Sequence, residues 1–236
     1  MTNNKLEHIK LLAIDADDTL WDNQTHFDIA QDQYCKLLEP WANEQTIRDS
    51  LYKVECRAMP LTGYGTKAFI LSMIENAIEM TDNKVPASTI QKIMDLGMDI
   101  LNMPVKPFPG VRETLTVLYN SNRYTLICFT KGDAIEQETK FQRSGLSDVF
   151  HDVVVTSDKN EHEFERLCQY HHAIPTQTLS IGNSFKADIH PIVSLGGYGI
   201  HIPYKRMWQY EHTEEYEHSN VIPLQQFPDI LKILDI

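Results

Sequence analysis

Apolar residues recur at two different spacings along this chain, and the change between them indicates how the chain is divided into domains. Residues 9–15, IKLLAID, form a short apolar run that ends in an acid, a pattern typical of a strand buried on both faces of a sheet. Beyond about residue 24 the apolar positions recur at helical spacing, with no convincing strand before residue 101. The amphipathic helices predicted there span about 25–39, 44–57, 66–80 and 87–101.

The C-terminal half alternates between strands and helices. Three prolines and a glycine within 104–110 precede a helix that begins near residue 110. The strands predicted after it are 124–130, 152–156, 178–182 and 198–202. Helices are predicted between them at 133–143, 160–172 and 186–195, and a short strand or loop with a closing helix at 221–236. Such alternation is typical of a parallel sheet with helices on both faces.

The two spacings together predict a discontinuous domain organisation. The helical block interrupts the α/β pattern directly after its first strand, so we interpret it as an insertion. The predicted fold class is α/β, with a Rossmann-like parallel sheet flanked by helices and an inserted all-helical cap domain. The core comprises residues 1–21 and 105–236, and the cap comprises residues 22–104.

Polar residues follow each of the first four predicted strands. They are Asp15–Asp18, Thr130–Asp133, Ser157–Lys159 and Gly182–Ser184. In open α/β sheets, ligands bind in the crevice beyond the carboxyl ends of the strands. We therefore expect these four segments to converge on one site.

The acids at the first strand end suggest what that site binds. Asp15 and Asp17 lie two residues apart, and carboxylates placed so close repel one another unless a cation compensates. Mg²⁺ prefers carboxylate oxygens, and Asp188, in the first turn of a predicted helix, can reach the same ion. A phosphoryl group is the natural companion, because the metal, Lys159 and the Thr130 hydroxyl would balance its charge.

Four ordered motifs give the chain a close resemblance to the haloacid dehalogenase superfamily, in its Mg²⁺-dependent phosphatase branch. The first, DADDTL at 15–20, matches the family pattern DxDx(T/V)L. The second and third are Thr130 at the second strand end and Lys159 after the third strand. The fourth is Gly182–Ser184 with Asp188. The similarity extends over essentially the whole chain, and its most specific part is the first motif.

The resemblance implies a role for each matching residue. Asp15 would be the nucleophile that forms an aspartyl-phosphate, and Asp17 would donate a proton to the leaving oxygen and then accept one from water. Thr130 and Lys159 would hold the oxygens of the transferring group. Mg²⁺ would bind the Asp15 carboxylate, the Asp17 main-chain carbonyl and Asp188.

Three positions depart from the family pattern. Asn183 stands where the family often has Asp, which brings one charge less to the metal site, although an amide can still orient a metal-bound water. Asp18 stands at a frequent Gly position, where a turn accepts either residue. Asn160 follows Lys159 where Pro is common.

Simpler roles stay open for several candidates. Lys131 competes with Lys159 for the active-site lysine and is itself a candidate phosphate ligand, as is Asn183. Asn183 could instead serve only as a turn former, and Asp188 only as a favourable charge at a helix N-terminus. Thr130 could be an ordinary hydroxyl at a strand end.

Composition narrows the functional class. The formal net charge of −12 argues against nucleic-acid binding and against an anionic membrane surface, and no apolar run approaches the length of a membrane span. The N-terminus lacks the apolar segment of a signal peptide, and the four cysteines are widely spaced with no CxxC pair. We expect free thiols and a cytoplasmic protein. The oligomeric state cannot be inferred from the sequence.

The sequence thus predicts a Mg²⁺-dependent phosphatase whose partner is a small phosphorylated metabolite. A metal-free dehalogenase is disfavoured, because that branch of the family lacks a carboxylate at the position of Asp17. A phosphomutase on sugar phosphates and a non-catalytic module that binds a phosphorylated ligand remain as alternatives. The substrate itself cannot be ranked from one chain.

Overall fold

A six-stranded parallel sheet forms the centre of the α/β part of the protein. The computed structural model describes residues 4–236. The strands are β1 (Leu11–Ile14), β2 (Thr125–Lys131), β3 (Asp152–Thr156), β4 (Thr178–Gly182), β5 (Tyr198–His201) and β6 (Val221–Pro223). They lie in the order β3-β2-β1-β4-β5-β6, with every pair parallel. The predicted fold class is confirmed.

Strand β1 lies in the interior of the sheet because all of its side chains are apolar. Each strand residue sends its side chain to the face opposite to that of its neighbour. Leu12 and Ile14 accordingly pack into one buried cluster, and Leu11 and Ala13 pack into a second. The run LLAI therefore fills both faces at once, which explains why it lacks the alternation of a half-exposed strand.

The helices flank the sheet or form a separate group. Their bounds are α1 (Gln24–Leu38), α2 (Glu44–Thr62), α3 (Thr66–Met80), α4 (Ala87–Leu101), α5 (Val111–Asn120), α6 (Ala134–Arg143), α7 (Glu161–Tyr170), α8 (His190–Ser194) and α9 (Ile230–Leu234). Over residues 4–236, none of them combines the length and apolar character that a membrane crossing requires.

The chain divides into two compact units. The α/β unit holds the described residues up to Gln24, then Val105–Lys131 and Gln137–Ile236. The helical unit holds Thr25–Pro104 together with the short segment Gly132–Glu136. That the helical unit acts as a cap stays a prediction.

The helical unit has its own apolar core, centred on buried side chains of α1 to α4. Tyr34 is fully buried there, and its hydroxyl donates to the carbonyl of Met73 at 3.0 Å. The segment 132–136 joins this unit through Glu136, whose carboxylate accepts hydrogen bonds from the main-chain N and the hydroxyl of Thr66. Glu136 thereby satisfies an otherwise unpaired N–H at the start of α3.

Candidate active site

The end of β1 places the first acid of the motif inside the α/β unit. The main-chain N of Asp15 donates to the carbonyl of Ile181 at 2.9 Å, which extends the pairing with β4 past the last strand residue. The Asp15 side chain is consequently buried. The chain then turns at Asp18, whose φ of 63° lies in the left-handed region that Gly and Asp tolerate best. The Gly-to-Asp departure from the family pattern is therefore compatible with the turn.

Lys159 joins two of the predicted acids. Its Nζ donates to Asp15 Oδ1 at 2.5 Å and to Asp188 Oδ1 at 2.7 Å. All three side chains are buried, with Lys159 and Asp188 at 5% and 2% exposure. Asn160 begins α7 by accepting a hydrogen bond from the main-chain N of Glu163, so this departure from Pro supplies a helix cap beside the lysine.

The buried charges of this group influence one another strongly. Burial raises the pKa of Asp15 to about 7, the charge of Asp188 adds to the rise, and Lys159 opposes it. Burial alone would lower the pKa of Lys159, but Asp15 and Asp188 together hold that pKa above its usual value. The lysine therefore stays protonated between two carboxyl groups.

The end of β4 brings Asp188 and Asn183 to the same place. A Cβ atom at Gly182 would lie 2.2 Å from Asp188 Oδ2, so only glycine permits this close approach. The main-chain N of Asn183 donates to the Thr19 hydroxyl at 3.0 Å, and that hydroxyl lies 2.8 Å from Asp15 Oδ2. Asn183 is thus connected to Asp15 through Thr19, the threonine of the first motif.

Two residues of α6 that the sequence analysis did not identify contact Asp17, and one of them, Gln137, also contacts Thr130. Lys140 Nζ lies 2.5 Å from Asp17 Oδ2, and Gln137 Nε2 lies 2.6 Å from Thr130 Oγ1 and 3.1 Å from Asp17 Oδ2. Gln137 and Lys140 are one helical turn apart and are both buried. Trp21 Nε1 donates to the other Asp17 oxygen at 2.8 Å.

Lys131 occupies a different environment from Lys159. Its Nζ pairs with Glu211 Oε1 at 2.6 Å, and the second oxygen of Glu211 accepts from the Ser184 hydroxyl at 2.7 Å. Burial alone would raise the pKa of Glu211, but Lys131 holds it below its usual value. Lys159, in contrast, contacts Asp15 directly.

The residues at the end of β1 and after β4 fit Mg²⁺. Asp15 and Asp188 share a single lysine, so the ionised group has one negative charge in excess that a cation would offset. The predicted ligands are all oxygens, as Mg²⁺ requires, and only two of them are side chains. Within residues 4–236, no group of three or more His, Cys, Asp or Glu side chains is arranged to hold a metal ion.

Comparison with known proteins identifies the family. The model of the haloacid dehalogenase-like hydrolases matches residues 9–195. A haloacid dehalogenase-like hydrolase from Xanthomonas campestris is 31% identical, with a TM-score of 0.86 over 97% of this chain and 92% of the other.

Two more distant structures share the fold. The HAD-hydrolase YfnB from Bacillus subtilis, bound to magnesium, has 16% identity and a TM-score of 0.66 over 97% of this chain and 99% of its own. A 2-haloacid dehalogenase from Pseudomonas syringae has 18% identity and a TM-score of 0.65, over 96% and 98%. No curated protein matches by sequence. From the family match and the Xanthomonas relative together, we conclude that this chain belongs to the haloacid dehalogenase-like hydrolases.

Proposed function

We propose that this protein is a Mg²⁺-dependent phosphatase that hydrolyses a small phosphomonoester through an aspartyl-phosphate intermediate. The observation that carries the proposal is the contact of the Lys159 ammonium with both Asp15 and Asp188. A buried carboxylate beside a permanent cation can approach an anionic phosphoryl group that it would otherwise repel.

In the first step, an Asp15 oxygen attacks phosphorus and the bond from phosphorus to the ester oxygen breaks. The ester oxygen leaves with a proton that Asp17 donates. Lys159 and Thr130 hold the phosphoryl oxygens as the charge shifts. In the second step, water attacks the phosphorus of the aspartyl-phosphate and gives its proton to Asp17. The bond between phosphorus and Asp15 then breaks, which releases phosphate.

Asp15, the main-chain carbonyl of Asp17 and Asp188 would hold the magnesium ion. When bound, Mg²⁺ supplies positive charge that balances the phosphoryl oxygens. The four cysteines carry free thiols, which supports the further proposal of a cytoplasmic setting.

Asp17 favours phosphoryl transfer over dehalogenation, the other chemistry among the structural relatives. An alkoxide leaves readily only when it receives a proton, whereas a halide leaves as a stable anion and needs none. A carboxyl group held by Trp21, Gln137 and Lys140, two residues beyond the nucleophile, is therefore useful to a phosphatase.

Asp15→Asn tests the proposal. The amide cannot act as the nucleophile, so hydrolysis of p-nitrophenyl phosphate should fall about a thousandfold or more. Mass spectrometry of acid-quenched protein should detect phosphorylated Asp15 in the wild type alone. The exposed Asp99→Asn serves as the matched control and should retain wild-type activity.

Other outcomes would replace the proposal with a specific alternative. Near-full activity of Asp15→Asn would show that Asp15 is not the nucleophile. Interconversion of sugar phosphates without phosphate release would indicate a mutase, and halide release from a 2-haloacid would indicate a dehalogenase. Binding of phosphorylated ligands without turnover would indicate a binding module.

A further inference from the structure

Gln137 lies where three oxygen atoms of the candidate site meet. It is 4% exposed and lies on helix α6, which follows β2 along the chain. Its Nε2 lies 2.6 Å from Thr130 Oγ1, 3.1 Å from Asp17 Oδ2 and 3.2 Å from the main-chain carbonyl of Lys131. The two roles assigned above to Asp17 and Thr130 do not account for this contact.

The chemistry of these partners fixes the direction of the hydrogen bonds. The carbonyl oxygen of Lys131 can only accept a hydrogen bond, so the side-chain atom that faces it is the amide nitrogen of Gln137. An amide nitrogen donates and does not accept. In the short contact with Thr130, Gln137 is therefore the donor and the threonine oxygen is the acceptor.

This direction leaves the hydroxyl hydrogen of Thr130 available. A threonine hydroxyl can both donate and accept, and its hydrogen rotates to suit its partners. Within residues 4–236, the described contacts of this hydroxyl consist of the one that it accepts from Gln137. Since that bond occupies a lone pair, the hydrogen must point away from Gln137.

We propose that Gln137 is a positioning residue, which turns the Thr130 hydroxyl so that its hydrogen is donated to a phosphoryl oxygen of the substrate. The inference rests on the proposed phosphatase function, in which Thr130 holds that oxygen. Without Gln137, the hydroxyl rotates freely or donates elsewhere, and the substrate loses an oriented donor.

Gln137→Met tests the role, because methionine has a similar length and donates no hydrogen bond. Hydrogen bonds to charged groups contribute enough that kcat/KM for p-nitrophenyl phosphate should fall about tenfold, and the inhibition constant of orthovanadate should rise by a similar factor. Gln142→Met is the matched control, since Gln142 is exposed on the same helix. It should leave both values within about twofold.

A double-variant cycle separates positioning from general damage. In a Thr130→Val background, which lacks the hydroxyl, adding Gln137→Met should change kcat/KM by less than about twofold. In a Thr130→Ser background, which keeps a hydroxyl, the tenfold effect should return. Gln137→Ala, with its melting temperature, is measured in parallel so that misfolding of the methionine variant does not decide the result.

An equal loss from Gln137→Met in the threonine, serine and valine backgrounds would overturn the inference. The same holds if the loss disappears only in an Asp17→Asn background, because Gln137 would then act through Asp17. In both cases the wild type still hydrolyses phosphomonoesters and binds vanadate, so the proposed function survives. A wild type that does neither removes the proposed function and this inference with it.

Discussion

Asp18 carries a carboxyl group that caps the start of a helix, although burial disfavours the ionised form of the group. Its Oδ1 accepts hydrogen bonds from the main-chain N of Asn23 at 2.9 Å and of Gln24 at 3.0 Å, where α1 begins. Burial nevertheless raises its pKa to about 7, although these two bonds oppose the rise. The carboxyl group is therefore a good helix cap whose ionised form is disfavoured in the folded protein.

Asp18→Asn should increase the free energy of unfolding relative to the wild type as the pH rises from about 4 to 7. An acid with a raised folded-state pKa binds more protons when folded than when unfolded in this window, so wild-type stability falls as pH rises through it. Asparagine keeps the acceptor oxygen, tolerates the positive φ and cannot ionise. Between pH 4 and pH 7 the relative gain should reach about 3 kcal/mol.

Urea unfolding at several pH values, with EDTA present to exclude metal, measures this difference. Asp99→Asn removes an exposed carboxylate and should show a difference that is nearly independent of pH. A pH-independent difference for Asp18→Asn as well would show that the Asp18 carboxyl titrates normally in the folded protein.

At the scale of elements, the strands were predictable because each one is a short apolar run bounded by polar residues. β3 and β4 have the predicted bounds, 152–156 and 178–182, and the strands predicted at 9–15, 124–130 and 198–202 differ by one or two residues at one or both ends. The helix predicted at 186–195 instead begins as a π-turn over Phe185–Ile189. Pro191 lacks the N–H that would continue the regular ladder, which accounts for the wider turn before it.

The polar side chains of α6 were not predictable in the same way. In the sequence, Gln137 and Lys140 have the pattern of residues on the solvated face of an amphipathic helix. Their partner Asp17 is more than a hundred residues away in sequence. Sequence periodicity indicates which residues face inward only when they are apolar. The signal that could have found them is their spacing of three residues, which places both on one face.

Glu211, which the sequence analysis also did not identify, helps to anchor the segment that follows β5. Glu211 is largely buried and contacts both Lys131 and Ser184. Glu211→Ala should release this segment, which contains Lys205 and Arg206, and raise its rate of tryptic cleavage at least about fivefold. The melting temperature should also fall, because the largely buried Lys131 ammonium loses a close carboxylate.

Glu214→Ala provides the matched control, since Glu214 is exposed in the same segment. Cleavage sites are assigned by mass spectrometry at pH 7. Equal cleavage rates for Glu211→Ala and the wild type would show that the carboxylate does not hold the segment.

At the scale of the whole molecule, the excess of acids makes a cation site energetically valuable. The chain has a formal net charge of −12, and two of its carboxyl groups are buried against a single lysine. A ligand that binds only the folded state stabilises it by about 2.7 kcal/mol at a hundred times its dissociation constant. Mg²⁺ should therefore raise the melting temperature of the wild type, and EDTA should arrest the proposed phosphatase activity until Mg²⁺ is restored.

Asp188→Asn should abolish the Mg²⁺-dependent rise in melting temperature, because it removes one of the two side-chain ligands that we propose for the ion. The exposed Asp95→Asn makes the same chemical change on α4 and should keep the full rise, which separates site binding from general screening of the negative charge. Calorimetry on both variants measures the shift without depending on activity. If Asp188→Asn retains the wild-type shift, Mg²⁺ binds elsewhere on this acidic chain, and the buried pair of carboxylates must be balanced by Lys159 alone.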